Sequence, residues 1–268
     1  MEKRISWQIE WVQAFAHFQK ARRILEVGSG NFETLMFLAK KYPGKQFVGI
    51  DFAFSDASVS AIKNAPPNLA AIKHDIRDLR LLANDQFDFV FSAAVLEHIR
   101  ELESHLSAIH ATLKRDGKYS FLESPFWSSS LGHHYEHNSP ECPIPHYGHL
   151  MMSREQLKKY LEEHAQRQPA EIEKILRGIY EREDLSRLTR TETRAIVESS
   201  PFIIEAWKER LDKNYSEDLM KAVVGNNIYN VDAQDLQISG VTCTLRKSAS
   251  PGNKSNWTSK ILRKFGIR

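Results

Sequence analysis

The chain has 268 residues, 41% hydrophobic and 26% charged, which suits one large folded α/β domain with an insertion, or two small domains. No apolar run approaches the roughly 20 residues of a membrane span. Polar residues interrupt the apolar N-terminus, so we expect no signal peptide. Two distant cysteines, Cys142 and Cys243, do not make a disulfide framework, and we expect a reducing, cytoplasmic setting.

The net charge of +3 is unevenly distributed along the chain. From Arg246 onward there are seven Lys and Arg and no acidic residue, which leaves 30 basic and 34 acidic residues in 1–245. The small excess of acidic residues in 1–245 argues against a nucleic-acid partner. Residues 255–268 combine one apolar helical stripe with basic flanks. This pattern is typical of peripheral contact with the inner face of a membrane, or of docking on a partner protein.

Strand-like runs alternate with helical patterns along the first half of the chain, after an amphipathic N-terminal helix. The candidate strands are residues 23–27, 46–50, 70–73, 87–92 and 119–123. Helical patterns between them cover residues 32–41, 57–64, 96–100 and 103–114. This alternation predicts an α/β fold with a Rossmann-like, doubly wound, mostly parallel sheet. Ligands of such sheets bind at the carboxyl ends of the strands.

The regular alternation stops after the fifth strand. Residues 125–149 hold four prolines and five histidines, which indicates a long loop. Helical patterns follow at residues 153–164, 170–183 and 191–199, an apolar run starts at 202, and residues 237–246 alternate as a strand. We therefore predict a seven-stranded sheet with a lid inserted after strand five. The predicted parts are an N-terminal helix (1–22), the core (23–127 and 187–247), the His-rich loop and helical lid (128–186), and a linker with a basic amphipathic tail (248–268).

A glycine-rich turn follows the first strand and is the first candidate binding site. The sequence Glu26-Val27-Gly28-Ser29-Gly30 allows a tight turn and a close approach of a ligand to the backbone. Glu33 stands where the dinucleotide fingerprint has its third glycine, which argues against a nicotinamide dehydrogenase. Asp51, at the end of the second strand, is placed to accept hydrogen bonds from ribose hydroxyls.

Five motifs in this order resemble class I methyltransferases of the small-molecule type. They are Glu-x-Gly-x-Gly, Asp51, Asp-x-x-x-Leu from Asp75, Phe-Asp-x-Val followed by Leu-Glu-His-Ile, and Leu-Lys-x-x-Gly from Leu113. The resemblance covers residues 20–125 and the final strand, and departs from the family where Arg115-Asp116-Gly117 replaces the usual Pro-Gly-Gly. It implies S-adenosylmethionine as the cofactor. By this resemblance the cofactor-binding residues are Glu26 at the methionine amino group, Gly28 and Gly30 along the methionine and ribose, Asp51 at the ribose, Asp75 and Ile76 at the adenine, and Ser92 at the sulfonium. Phe52, next to Asp51, is also expected to contact the cofactor.

The histidine-rich insertion is expected to cover the methyl acceptor. We take His98, His133, His134 and His149 as candidate catalytic residues, because histidine can act as a base near neutral pH. Two alternatives stay open, namely a bound divalent metal and structural hydrogen bonding within the loop.

Glu97 and His98 also resemble part of a metal-binding motif. Some metal-using O-methyltransferases carry Glu-x-x-Glu-His here, but Ala94 replaces the first Glu. A histidine of the insertion could substitute for it. We favour a capping or orienting role for Glu97 and assign no metal ligand.

The sequence thus predicts an S-adenosylmethionine-dependent methyltransferase that O-methylates a hydroxyl on a sugar or a lipid-linked cell-surface glycan. The run Pro-Phe-Trp-Ser…Gly-His-His…Ile-Pro-x-x-Gly-His-Leu is loosely similar to methyltransferases among bacterial polysaccharide-assembly enzymes. The alternatives are methylation of a quinone, polyketide or other small metabolite, and a catalytically silent methyltransferase-like subunit.

Overall fold

The structure is a computed structural model that describes residues 3–75, 82, 84–135, 139, 141–226 and 228–248. Its strands form one sheet in the order β3-β2-β1-β4-β5-β7-β6. They are β1 (Arg23–Val27), β2 (Gln46–Asp51), β3 (Leu69–Lys73), β4 (Phe87–Ala93), β5 (Leu113–Glu123), β6 (Phe202–Leu211) and β7 (Ile238–Lys247). Strand β7 is antiparallel to β5 and β6, and the pairs among β1 to β5 are parallel. The predicted seven-stranded Rossmann-like fold is confirmed.

Helices connect the strands and form the insertion. In chain order they are α1 (Lys3–Ala14), α2 (Ala16–Lys20), α3 (Glu33–Lys41), α4 (Asp56–Lys63), α5 (Leu102–Thr112), α6 (Gly148–Met151), α7 (Arg154–His164), α8 (Pro169–Leu176), α9 (Arg190–Ser199), α10 (Glu217–Asn226) and α11 (Ala233–Leu236). A 3-10 turn covers Leu96–His98 and a π turn covers Arg177–Glu181. None of these helices is long and apolar enough to cross a membrane.

Apolar side chains cover both faces of the sheet. On one face, α1, α2 and α3 pack with aromatic residues of β4, including Phe89 and Phe91. On the other face, α5 and α9 pack against residues that include Tyr119 and Phe121 of β5. Burial of a helix layer on each side supplies the hydrophobic stabilisation that a parallel sheet requires.

The insertion has a hydrophobic cluster of its own. Leu157, Leu161, Ile175 and Ile179 are fully buried within it, beside Trp127 from the segment after β5. Met220, Val223 and Leu236 join the same cluster from the chain between β6 and β7. The insertion therefore rests on the β6–β7 connection as well as on the end of β5. The proposed division of the chain into parts stays a prediction, and this connection belongs physically with the lid.

The local differences from prediction have identifiable causes. The pattern expected as a helix over residues 96–100 is a single 3-10 turn, entered through Ala94 at φ +57°. The helix expected over 103–114 ends at Thr112, because Leu113 already pairs with Phe87 as the start of β5. The N-terminal helix is interrupted at Phe15, which is extended and packs edge-on against Trp11.

Candidate active site

The turn after β1 leaves no room for a side chain at Gly28. The amide of Gly28 donates to the carbonyl of Ile50 at 2.8 Å, and the residue has φ +74°. A Cβ atom at this position would lie 2.3 Å from Cγ2 of Val95, which follows β4. Glycine is therefore required both by the backbone conformation and by the close approach of the β4 segment. The turn opens at the carboxyl ends of β1 and β4, where the strand order reverses.

The acidic residue after β2 organises the same turn. The carboxylate of Asp51 accepts from the amide of Gly30 at 2.8 Å and from the amide of Ala53 at 3.2 Å. Phe52, beside it, is 67% exposed, an unusual position for a phenylalanine and one that leaves its face available to a flat ligand. Asp75 is half-buried beyond the end of β3. Ile76, the other residue expected at the adenine, lies outside the described residues.

Glu26 brings a buried carboxylate to the turn. Its Oε1 atom accepts from Nε2 of Gln8 on α1 at 2.9 Å, while its buried Oε2 atom has no hydrogen-bond partner in the part of the chain that the structure describes. Burial raises the pKa of Glu26 well above its usual value, because the charged form loses its hydration. A cationic group next to Oε2 would satisfy this oxygen, as the amino group of a bound methionine moiety would. The residues at the turn therefore fit the expected cofactor.

Ser92 occupies a different environment from the other expected cofactor residues. It is fully buried, and its hydroxyl lies 2.7 Å from the hydroxyl of Tyr119 in the core beneath the sheet. Its side chain is therefore engaged within the core. A contact with the cofactor would have to come from its backbone, at the carboxyl end of β4.

Three titratable side chains meet on the acceptor side of the turn. One carboxylate oxygen of Glu97, one ring nitrogen of His98 and one ring nitrogen of His134 lie within 4.8 Å of one another. Glu97 is buried, and the two histidines are half-buried. The first two residues follow β4, whereas His134 comes from the loop after β5. The structure thus unites a motif of the core with one histidine of the insertion.

The hydrogen bonds of the two histidines define their tautomers. Nδ1 of His98 lies 3.2 Å from the carbonyl of Asp184, and Nε2 of His134 lies 3.0 Å from the carbonyl of Pro125. A carbonyl oxygen only accepts, so these two nitrogens carry the protons. In the neutral form of each ring the other nitrogen is an acceptor. Both rings are therefore suited to accept a proton or to bind a cation.

Two buried carboxylates, those of Glu97 and Glu123, interact electrostatically at this end of the sheet. Burial is the main cause that raises the pKa of Glu97 well above its usual value, and the nearby carboxylate of Glu123 raises it further. Glu123 ends β5, and burial raises its pKa to about 8. Neither Oε2 atom has a hydrogen-bond partner among the described residues. Strongly perturbed carboxylates beside histidines are typical of functional sites.

The other two candidate histidines lie in the interior of the insertion. His133 and His149 have no exposed surface, and their rings meet at 5.5 Å between centroids. Nε2 of His149 donates to the carbonyl of Trp127 at 2.7 Å, and burial lowers the pKa of this histidine to about 4. Nδ1 of His133 accepts from the amide of Tyr135. A histidine with no exposed surface cannot touch an acceptor in this arrangement, so His98 and His134 are the stronger candidates.

A cavity of about 270 Å³ lies beside the insertion. Its walls combine two aromatic rings with polar groups, from Trp127, Tyr229, Arg187, Thr191, Asn230 and Asp232. The guanidinium of Arg187 lies over the ring of Trp127 at 5.0 Å, and the preceding residue, Ser186, donates its amide to the carbonyl of Glu97. The cavity therefore adjoins the segment that bears the Glu97 cluster, apart from the glycine turn.

Comparisons with known proteins agree with this geometry. Residues 25–121 match the family model described as "Methyltransferase domain". No curated protein matches the sequence. The matched stretch covers 97 of the 268 residues and runs from β1 into β5, so this part of the chain is similar to a methyltransferase domain.

Solved structures show the same fold at low sequence identity. A candidate sarcosine dimethylglycine methyltransferase from Galdieria sulphuraria superposes with a TM-score of 0.53 at 11% identity, covering 92% of this chain and 91% of that chain. Geranyl diphosphate C-methyltransferase from Streptomyces coelicolor A3(2), in complex with Mg2+, geranyl diphosphate and S-adenosyl-L-homocysteine, gives 0.53 at 10% identity over 90% and 77%. An S-adenosylmethionine-dependent methyltransferase candidate from Listeria monocytogenes gives 0.53 at 14% identity over 92% and 100%. At these identities the likeness concerns the fold alone.

Proposed function

We propose that the chain transfers the methyl group of S-adenosylmethionine to a hydroxyl oxygen of a sugar, within a lipid-linked cell-surface glycan assembled at the inner face of the membrane. The observation that carries the choice of oxygen is the cluster of Glu97, His98 and His134 on the acceptor side of the cofactor turn. Val95, two residues before Glu97, contacts Gly28 directly, so the cluster lies next to the bound cofactor's expected position.

Methyl transfer to oxygen needs little beyond positioning and the removal of one proton. An oxygen lone pair attacks the methyl carbon while the carbon–sulfur bond breaks, and the bonding electron pair stays on sulfur to give S-adenosylhomocysteine. The sulfonium is already a good leaving group, so the enzyme must align the two reactants and accept the hydroxyl proton. The unprotonated ring nitrogen of His98 or His134 can accept that proton.

The cavity beside the cluster supports a polyhydroxylated acceptor. The ring of Tyr229 is 37% exposed and meets the buried ring of Trp127 edge-on at 5.7 Å, and an exposed aromatic face packs well against the apolar face of a sugar ring. Asn230, Asp232 and Thr191 add hydrogen-bonding groups to the same wall, as a set of hydroxyls would require. A quinone or polyketide would need a more apolar wall than this one.

The lipid-linked part of the proposal depends on the C-terminal tail, which lies outside the described residues. Its apolar stripe with basic flanks is the pattern of an interfacial helix, and each basic residue contributes about 1 kcal/mol near an anionic leaflet. Removing residues 251–268 should lower recovery of the protein with membranes. If the shortened protein is recovered with membranes as well as the full chain is, the membrane location is wrong and only the sugar acceptor remains proposed.

The direct test is transfer of an isotopically labelled methyl group to candidate acceptors. Purified protein is incubated with labelled S-adenosylmethionine and extracts of surface glycans, quinones or small metabolites, and products are sought by the mass of one added methyl group. His98→Ala should lower the transfer rate by about 10²- to 10⁴-fold while cofactor binding persists. His164→Ala is the matched control, since His164 is exposed on α7 and stacks on Tyr160.

Each outcome separates the proposed functions. Label in an alkali-stable ether of a glycan supports the proposal, and label only in quinones or small metabolites contradicts the sugar acceptor. Failure to bind either S-adenosylmethionine or S-adenosylhomocysteine would indicate a catalytically silent subunit.

A further inference from the structure

We propose that the edge of the sheet opposite the cofactor turn docks on an anionic membrane leaflet, together with the basic C-terminal tail. The docking surface consists of Lys20, Arg22, Lys114 and Arg115, and we call it the basic edge. It rests on the membrane location in the proposed function and deepens it, because it determines which end of the molecule faces the lipid. Binding to lipid can be measured without any methyl acceptor.

The strand topology brings several segments of the chain to this edge. Strands β1, β4 and β5 are parallel, so their amino ends lie together at the edge opposite the cofactor turn. Strand β7 is antiparallel to β5, with Arg246 opposite Lys118, so its carboxyl end lies here as well. At that end the Nζ atom of Lys247 donates to the carbonyl of Leu113 at 2.7 Å. The described chain therefore reaches Ser248 at the same edge.

Basic side chains line a cavity of about 200 Å³ at this edge. Lys20 ends α2, and Lys114 and Arg115 lie near the start of β5. The carboxylates of Asp88 and Asp116 line the same cavity. The charge that the cavity presents to solvent therefore depends on how far these two carboxylates are already paired.

Both carboxylates are engaged within the fold. Asp88 accepts from the backbone amides of Arg22 and Arg23 at 2.9 and 2.8 Å, and from Nζ of Lys114 at 2.7 Å. Asp116 lies 3.3 Å from a guanidinium nitrogen of Arg246, on β7. These contacts join α2, β1, β4, β5 and β7 at the edge. They leave the outer cations without a strong acidic partner.

The outer cations give the basic edge a positive charge. The side chains of Lys20 and Arg22 are exposed, and neither forms an ion pair with another residue in the described ranges. Nζ of Lys45 adds a fixed charge, since it donates to three carbonyls around the end of α2 at 2.6–3.0 Å. The whole of 1–245, by contrast, has 30 basic and 34 acidic residues. A mildly acidic body thus presents its positive charge at one edge, which favours an anionic partner there.

The departure from the resembled family falls on the same surface. Arg115-Asp116-Gly117 replaces the usual Pro-Gly-Gly at the turn into β5. Asp116 has φ +60°, a conformation that glycine adopts without strain. The side chain of Arg115 is 77% exposed, and its nearest ion pair, with Asp116, is 3.8 Å long. The shape of the turn does not require the charge of Arg115, whereas contact with an anionic surface would use it.

The tail favours a lipid leaflet over another polyanion. From Arg246 onward there are seven Lys and Arg and no acidic residue, and residues 255–268 add an apolar stripe. An extended link from Ser248 to residue 255 spans at most about 25 Å, so the amphipathic segment begins within reach of the basic edge. RNA would attract the charges but would leave the apolar stripe unburied. An anionic leaflet satisfies both features.

Docking through the basic edge also determines where the acceptor lies. Strand β4 runs from Phe87 to Ala93, which at about 3.3 Å per residue is a length of roughly 20 Å. The cofactor turn lies at its far end, beyond the Debye length of about 8 Å over which the field of a leaflet acts. The active site then faces away from the lipid. The methylated hydroxyl would belong to a sugar remote from the lipid anchor, and not to the sugar attached to it.

Flotation of the full-length chain with lipid vesicles tests the docking surface. Vesicles of phosphatidylcholine alone are compared with vesicles that also contain phosphatidylserine, and we expect binding only to the anionic vesicles, weakening as salt is raised. Lys20→Glu combined with Arg115→Glu should weaken binding by at least about tenfold, because each basic residue near an anionic leaflet contributes about fivefold. Lys174→Glu combined with Lys213→Glu is the matched control. It changes the net charge equally at exposed positions on α8 and after the carboxyl end of β6, and should bind as the wild type does.

Acetylation of lysines measures which surface the vesicle covers. The full-length chain is acetylated with and without anionic vesicles, and each modified lysine is quantified by mass. The modified fraction of Lys20 should fall in proportion to the fraction of protein bound, whereas that of Lys174 should not change. A bound chain in which Lys20 stays as reactive as Lys174 would show that the tail alone docks, and the proposal would be wrong.

Binding of S-adenosylhomocysteine reports whether each variant is folded. Normal binding of this ligand by the Lys20→Glu, Arg115→Glu variant, together with wild-type binding to anionic vesicles, would overturn the basic edge. Stronger binding of the wild type to RNA than to anionic vesicles would do so as well.

Methyl transfer to soluble glycan, measured without vesicles, separates this proposal from the proposed function. The variant at the basic edge should transfer methyl groups at the wild-type rate, since its substitutions lie far from the cofactor turn. Labelled glycan without vesicle binding would leave the sugar acceptor and remove the docking surface. Vesicle binding through the basic edge without labelled glycan would support the docking surface and contradict the sugar acceptor.

Discussion

The carboxylate of Glu26 offers a test in which cofactor binding and stability change in opposite directions. Burial holds the pKa of Glu26 well above its usual value in the ligand-free protein, and its Oε2 atom lacks a hydrogen-bond partner among the described residues. Replacing it by glutamine keeps the size of the side chain and the contact with Gln8 while removing the charge. We therefore expect Glu26→Gln to bind S-adenosylmethionine more weakly and yet to be at least as stable without ligand.

The magnitude follows from the bond that is lost. A hydrogen bond between a carboxylate and an ammonium group contributes about 1.5–3 kcal/mol, which corresponds to a roughly 10- to 150-fold weaker Kd. Because the pKa of Glu26 is raised, the carboxyl of the free protein must lose a proton when the ammonium group binds. Wild-type affinity should therefore increase with pH until about pH 7.5, where the ligand's own α-amino group begins to lose its proton. The affinity of Glu26→Gln should not vary with pH in that range.

The raised pKa of Glu26 also determines whether Glu26→Gln gains or loses stability. A carboxyl whose pKa is higher in the folded state than in the unfolded state stabilises the fold at low pH and loses that contribution as pH rises through the folded pKa. Glu26→Gln should thus match the wild type at about pH 4, below the unfolded-state pKa of a glutamate, and exceed it increasingly at higher pH. Calorimetric titration and thermal unfolding measure the two effects, with Glu10→Gln, exposed on α1, as the control. Equal affinity of Glu26→Gln and wild type at every pH would refute the role assigned to this carboxylate.

Three further changes test the turn, the sheet end and the insertion. Gly28→Ala should abolish detectable cofactor binding, because its Cβ meets Val95 at 2.3 Å, whereas Gly30→Ala, with nothing within 4 Å of its Cβ, should retain weaker binding; equal titrations for both would contradict the steric argument. Glu123→Gln should remove a fall in unfolding free energy that the wild type shows between about pH 4.5 and 8, since burial raises the pKa of Glu123 to about 8. Urea denaturation in EDTA at a series of pH values measures the unfolding free energy, and an unchanged slope against pH would contradict the prediction. Tyr147→Phe should cost about 1–2 kcal/mol in the same assay at pH 7, because the buried hydroxyl donates to a carbonyl of α11 at 2.7 Å; a smaller loss would mean that water satisfies that carbonyl.

The core of the fold was predictable because its signals are local. Strand β1 begins and ends where the sequence predicted, since its buried residues are followed at once by a glycine turn. Helices α10 and α11 were not predicted, because their few buried residues, among them Val223 and Leu236, belong to the hydrophobic cluster of the insertion. A short helix whose apolar partners lie about 60 residues away leaves little periodic signal of its own.

The cofactor residues were predictable for a similar reason. Glu26, Gly28, Gly30 and Asp51 each lie within three residues of a strand's carboxyl end, and parallel strands bring those ends to one edge. Ser92 satisfies the same rule, yet its hydroxyl contacts Tyr119 in the core. Alternation along a strand decides which face a side chain occupies, and a shift of one residue reverses it. Position at a strand end thus predicts proximity to the ligand more securely than it predicts contact.

The sequence could not show which histidines of the insertion face the methyl acceptor, because that depends on the path of the loop. His133 and His134 are adjacent, yet the first is fully buried and the second meets Glu97 and His98. The separation arises from the tight packing of Gly132 against the chain at Trp127 and from the left-handed backbone of His134. Neither feature has a periodic signature. The approach of His134 to Glu97 and His98 therefore depends on the backbone conformation of the loop, which joins two segments that the sequence pattern could only list side by side.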